Sequence, residues 1–350
     1  MMEDLRKDRA MGAIMGALIG DSLGMGCHWY YDIEAQVRDY SDWISDYHDC
    51  KPDRKDVHGK VATLRHELGL RAGDVSQTGQ FVVMLMESIA EKGTYDEVDY
   101  TARLDEFLKT IDGTPFSGRY TDRAIVDVWH NRKEGISWSD AGSMTDTPEA
   151  AIRAVVIAAR SSGDPVALAI EGESNIHLTH KNPYITGSSL AYVMATEGFI
   201  QGVPLSGIRK YMSALKDNPE TRDRTCSNDV RFQVGNEGAV LGGNHSLNLD
   251  PVIVTRLFGM NCVLGFMLPA AYFLIHHYPD DFEMAVLTAV NAGGNNMGRA
   301  AMVGGISGAM VGLKAIPERF ITGLRDHERL LDLAEKVADQ GAQVAERAVA

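Results

Sequence analysis

Residues 291–312 read NAGGNNMGRAAMVGGISGAMVG. Two neighbouring amides, Asn295 and Asn296, stand in a glycine-rich turn before a helix dense in small residues, with no carboxylate beside them. An amide both donates and accepts hydrogen bonds, which suits sugar hydroxyls. Gly293, Gly294 and the start of the following helix offer backbone donors, and Arg299 is either a partner for a phosphate or carboxylate or a helix-surface charge. Three other polar turns carry comparable groups. In GALIGDSLGMGCHWYYD, residues 16–32, Asp21 follows an almost wholly apolar stretch, where an unpaired charge is costly, so it needs a partner or a metal. His28 follows at a turn; it is a proton-transfer candidate near neutral pH or a satisfied structural histidine. In GDVSQTGQ, residues 73–80, Asp74, Ser76, Gln77, Thr78 and Gln80 crowd a helix start, where backbone donors favour anions, although capping alone accounts for Ser76 or Thr78. In WSDAGSMTDTPEAA, residues 138–151, Asp140, Asp146 and Glu149 precede another helix, and capping requires only one of them. The carboxylates of Asp21, Asp74, Asp140 and Asp146 are the candidate bases or metal ligands; one such group typically contributes about 10²–10⁴-fold to a rate.

The elements that must hold these turns are helical. Apolar spacing predicts helices over 9–20, 80–92, 147–161, 183–202, 205–215, 253–277, 281–292, 298–313 and 327–348, with a short one from Pro317. Thr147 and Pro148 look like the cap and first position of the 147–161 helix, and Gly93 like a C-cap. Alternating strand patterns are absent, so the expected fold class is all-α. Residues 33–75 and 216–250 read as irregular. Gly304, Gly308 and Gly312 lie four apart, a spacing that lets two helices approach closely. Without a Gly/Ser/Pro-rich linker, residues 1–350 read as one domain. Polar turns at several helix starts are expected to converge on a central cleft. No HExxH, GxSxG, Walker loop or zinc-type Cys/His cluster occurs.

Composition narrows the function class. A net charge of −14 over 350 residues argues against nucleic acid or an anionic membrane as partner and leaves a small anionic ligand open. Cys27, Cys50, Cys226 and Cys262 show no CxxC spacing, and Cys27 and Cys262, in apolar or small-residue contexts, read as reduced core thiols. The apolar run 257–275 contains Asn261 and Pro269 and reads as a core helix rather than a membrane span. The charged start lacks a signal-peptide pattern, so a cytoplasmic location is expected.

Taken together the motifs resemble the ADP-ribosylglycohydrolase superfamily, in its J1-crystallin-like branch. MGAIMGALIGDSLG, GDVSQTGQ, HLTHKNPYITGSSLAYVMATEGFIQG, CVLGFMLPAAYFL and AVNAGGNNMGRAAMVGGISGAMVGLKAIPERFITGL occur in family order over about residues 9–325, and HWYYD is typical of that branch. The resemblance implies an all-helical bundle with a central polar cleft and, in active members, two magnesium ions held by acidic turns that grip ribose hydroxyls of ADP-ribose. Here those turns read Ser76-Gln77-Thr78-Gly79 and Asn295-Asn296-Met297-Gly298, and His28 stands where the family often has a glutamate. Neutral amides return far less Coulomb energy to a hard divalent cation than carboxylates do, so no metal ligand is assigned. The resemblance implies a hydrolase of a glycosidic or N-glycosidic bond in a small ribosyl-containing ligand. The alternative is a non-catalytic sugar-binding or crystallin-like structural protein.

Overall fold

A methyl group added to Gly304 would stand 2.0 Å from the Gly16 carbonyl oxygen, and one on Gly308 2.0 Å from that of Gly12. Only glycine fits there, so two helices lie backbone against backbone in this computed structural model. They are the N-terminal helix Met2–Gly26 and the small-residue helix Asn296–Val311. The contacts pair Gly12 with Gly308 and Gly24 with Met297, so the two run antiparallel. Both are buried along most of their length. Helices Glu149–Arg160, Pro183–Ile200 and His327–Val349 pack on the first; Leu264–His277 and Phe282–Asn291 pack on the second.

The structure describes residues 2–161, 163–224 and 237–349. Among the described residues there is no strand, only isolated bridges between Tyr30 and Gly294 and between Ser143 and His180. The fold is all-α, as expected. None of the described helices is long and apolar enough to cross a membrane. Cys27 and Cys50 are buried free thiols and Cys262 is half-buried and free; Cys226 lies outside the described residues.

Several elements differ from the sequence expectation. The expected helix over 253–277 is two, Pro251–Phe258 and Leu264–His277. The break falls at Gly259, whose φ of 139° is one that side-chain-bearing residues rarely adopt, while Pro269 is carried inside the second helix. The segment 33–75 contains two short helices, Ile33–Tyr40 and Gly59–Glu67. Helices Glu97–Leu108, Arg123–Lys133 and Pro165–His177 were not legible from periodicity; the side chains of Asp96, Asp122 and Asp164 cap them. Within 216–250, Pro219–Arg224 and Glu237–Gly242 are helical, and residues 225–236 lie outside the description. The helix expected from residue 147 begins at Glu149. Thr147 does not cap it: its hydroxyl meets His180 Nε2 at 3.1 Å.

Candidate active site

The helix Gln77–Lys92 starts where Ser76 accepts hydrogen bonds from the backbone N–H groups of Thr78 and Gly79. Ser76 also donates twice to Asp21 of the N-terminal helix, from its backbone N at 2.7 Å and from Oγ at 2.6 Å. A side chain at Gly79 would begin 2.6 Å from Asp21 Oδ2, so glycine there lets the carboxylate dock. Burial raises the Asp21 pKa, against the lowering effect of the Ser76 hydrogen bonds and of Arg65. Both its oxygens hold the two segments together, and Asp21 forms no part of the cavity wall.

The asparagine turn is built the same way. Gly293 and Gly294 take φ values of 70° and 60°, which turn the chain sharply into the small-residue helix. The backbone donors expected to be free are occupied: Gly294 N donates to Tyr30 O at 2.6 Å, Asn295 N to Met260 O at 2.7 Å and Gly298 N to Asn295 Oδ1 at 3.2 Å. Asn296 is fully buried; its Nδ2 donates to Cys27 O at 3.2 Å and its Oδ1 lies 3.0 Å from His28 Nδ1. That pairing places the imidazole proton on Nδ1. Burial, then the Arg65 charge, push the His28 pKa well below its usual value. His28 is therefore neutral around pH 7, a hydrogen-bonding wall rather than the titrating group its type suggested. Arg54 braces the same turn, donating to His28 O at 2.6 Å and Trp29 O at 2.9 Å. Arg299 is neither a surface charge nor an exposed ligand contact. It is fully buried and donates to Ala289 O at 2.9 Å and Gly293 O at 2.5 Å, which ties the glycine turn to the preceding helix.

These turns border a cavity of about 120 Å³. Such a volume holds several waters or one small ring. Of the residues expected from sequence, His28, Ser76, Gln77, Thr78 and Asn295 line it. Asp122, Thr147 and Glu149 line it as well, and Arg65, Trp29 and Tyr120 join them. Gln77 Nε2 donates to Thr121 at 3.0 Å, while its Oε1 is buried without a partner. Glu149 Oε2 is likewise buried and unpartnered, 3.9 Å from His180 Nε2. Burial first, and then the charge of Asp122, push the Glu149 carboxyl up to about 8. Burial pushes Asp122 up to about 6, against hydrogen bonds from the backbone of Ile125 and Ala124. His180, behind Glu149, is held neutral by burial, with its pKa pushed down to about 3.

The remaining sequence candidates lie elsewhere. Asp74 and Gln80 line a separate groove with Arg119 and Arg325; Asp74 Oδ2 accepts from Arg71 N at 2.8 Å. Asp140 is exposed and accepts from Ser137 at 2.9 Å and Ser139 at 2.8 Å. Asp146 is exposed too, and its carbonyl accepts from Leu264 N. A helix start displays several acidic side chains outward as well as inward, and spacing does not separate them. Of the cavity groups not assigned from sequence, Glu149 alone had a signal, as the third member of an acidic run. Arg65 and Asp122 sit in segments without any pattern that marks them. Among the described residues no group of three or more His, Cys, Asp or Glu side chains is arranged to hold a metal ion.

A family model for ADP-ribosylglycohydrolase matches residues 2–347. The chain belongs to the ADP-ribosylglycohydrolase family. This glycohydrolase-family chain is 27% identical over 346 residues to an uncharacterized protein of Archaeoglobus fulgidus, covering 95% of this chain and 96% of that one. It is 23% identical over 322 residues to the ADP-ribosyl-[dinitrogen reductase] glycohydrolase of Rhodospirillum rubrum, covering 91% and 90%. A solved structure titled ADP-ribosylglycohydrolase-related protein complex superposes with a TM-score of 0.63 over 97% of this chain and 99% of that one. At 18% identity, that likeness establishes the shared glycohydrolase-family fold.

Proposed function

We propose that the protein hydrolyses a glycosidic or N-glycosidic bond in an ADP-ribosyl or related ribosyl substrate, with Glu149 as general acid and Asp122 as general base. The observation that carries this reading is the buried, unpartnered Glu149 Oε2 at a cavity wall shared with Asp122. Two carboxyl groups whose surroundings push their pKa values apart divide the roles of acid and base between them. Near pH 7 Glu149 keeps its proton while Asp122 has lost its own. Glu149 gives that proton to the departing nitrogen or oxygen as its bond to the anomeric carbon breaks. Asp122 takes a proton from the water whose oxygen forms the new bond at that carbon. Gln77 Oε1 is a free acceptor for a sugar hydroxyl, and Asn295 lines the cavity close by.

Magnesium, which the family resemblance implies, does not suit this donor set. It demands hard anionic oxygens in octahedral array. Here Asn296 Oδ1 faces His28, Asn295 Oδ1 accepts from Gly298 N, and both Asp21 oxygens face Ser76.

The test is turnover of a panel of N- and O-linked ADP-ribosyl conjugates and simple ribosides, followed by release of the reducing sugar from pH 5 to 9. The expected result is a bell-shaped kcat/KM with limbs near about 6 and about 8. Ligand binding without turnover anywhere in the panel would replace the enzyme with a sugar-binding protein.

A further inference from the structure

Arg65, Arg153 and Arg299 are the largest of the fully buried side chains. Two of them are well satisfied. Arg153 donates to Asn175 Oδ1 at 2.9 Å, Asn175 O at 2.5 Å and Thr179 Oγ1 at 3.1 Å. Arg299 holds the carbonyls described above. Arg65, from the helix Gly59–Glu67, differs. Its Nε reaches Arg119 O and one terminal nitrogen reaches Met25 O, both at 3.3 Å, and the other terminal nitrogen meets only the thioether of Met297 at 3.8 Å. A guanidinium has five N–H donors, so these long contacts leave it underused. It is 1% exposed and lines the cavity. Among the described residues no carboxylate oxygen forms an ion pair with it within 4.0 Å. The Asp21 carboxylate acts on it from beyond ion-pair distance, and a buried cation without a contact counter-ion is costly unless an anion completes it.

We propose that Arg65 is a ligand-binding residue whose guanidinium takes a phosphate of a phosphorylated ribosyl ligand, so that the chain itself supplies the positive charge and capture needs no divalent metal. The proposal rests on the cavity being the ligand site. The fork geometry of a guanidinium matches two phosphate oxygens at once. Met297 offers the guanidinium only a thioether, a weak acceptor that a phosphate oxygen would outcompete. The contacts with Arg119 O and Met25 O hold the side chain in place before any ligand arrives, which lowers the ordering cost of binding.

Calorimetry on the full chain tests this with ADP-ribose, ribose 5-phosphate and ribose, each in EDTA and again in excess magnesium, for wild type, Arg65→Lys and Arg65→Gln. Thermal unfolding of each variant checks that it is folded. Both phosphorylated ligands are expected to bind in EDTA, with magnesium changing Kd by less than about twofold. Arg65→Lys is expected to weaken them about tenfold and Arg65→Gln about hundredfold, while ribose binds all three proteins alike. Binding that appears only with magnesium overturns the proposal, as does a folded Arg65→Gln with wild-type affinity for ADP-ribose. If Arg65→Gln fails to fold, the wild-type comparison of EDTA with magnesium and the Lys variant decide by the same criteria. Ribose binding and turnover that ignore both phosphate and Arg65 overturn this proposal and leave the hydrolase reading standing. Failure of every ribosyl ligand to bind in either buffer overturns both.

Discussion

The cavity has two kinds of wall, and both are polar. On the side of the asparagine turn and the Asp21–Ser76 contact, almost every donor and acceptor is matched within the protein. Elsewhere in the lining, Glu149 and Gln77 each keep a buried oxygen without a partner. The motif turns are mostly satisfied within the protein; the unmet hydrogen-bonding capacity is left at Gln77, which belongs to one of them, and at Glu149. A polar group that is satisfied inside the fold rigidifies it, whereas an unsatisfied buried one carries a cost that a ligand removes. The motif turns thus act mainly as a frame, and the proposed acid and base, Glu149 and Asp122, lie outside the two turns compared with the family's acidic ones.

The largest expected effect comes from breaking the second wall. Glu149→Gln keeps the shape and removes the proton, so kcat/KM should fall about 10²–10⁴-fold, and Asp122→Asn should abolish the acidic limb of the pH profile. Steady-state rates against pH read both. If Glu149→Gln turns over like wild type, the contrast between the walls collapses.

A smaller effect is expected at the frame. Ser76→Ala removes the helix cap and the 2.6 Å hydrogen bond to Asp21 together. It should cost about 2–4 kcal/mol in urea unfolding, with Asp21 left short of a partner in the interior. A substitution here that abolished turnover without any loss of stability would move the chemistry back to the motif side.

The smallest effect sharpens the comparison through pH. Glu149 has a folded pKa of about 8, above its ordinary 4.5. Between those values the folded state holds a proton that the unfolded state has released, so this group's contribution to stability falls as pH rises through that window. The amide in the Glu149→Gln variant does not titrate. The stability of Glu149→Gln relative to wild type should therefore grow by about 1 kcal/mol or more from pH 5 to pH 8, measured by denaturant unfolding. A difference that is flat with pH would mean that the carboxyl is not held protonated by its surroundings.

Much of this fold was open to reading from the chain alone. Apolar periodicity marked the long buried helices, and the four-residue spacing of Gly304 and Gly308 marked the close contact that their partner glycines complete at Gly16 and Gly12. Family membership was legible too, because its turns keep their order along the chain. The short helices within 33–75 escaped because eight or nine residues make only about two turns, too few for a helical period to stand out. The destinations of the acidic residues escaped for another reason. Asp140 and Glu149 belong to one polar run, yet one faces solvent and the other the cavity.

Local interactions between near neighbours are written into the order of residues: helical period, caps and glycine turns were determined by sequence, and with them the all-α class. Which polar atoms remain without a partner was decided only by the tertiary structure. His28 meets Asn296 across 268 positions, and Asp21 meets Ser76 across 55. Arg65 comes to the same cavity from a helix with no motif. Hydrogen-bond satisfaction and desolvation depend on neighbours in space, and those neighbours exist only once the helices have packed.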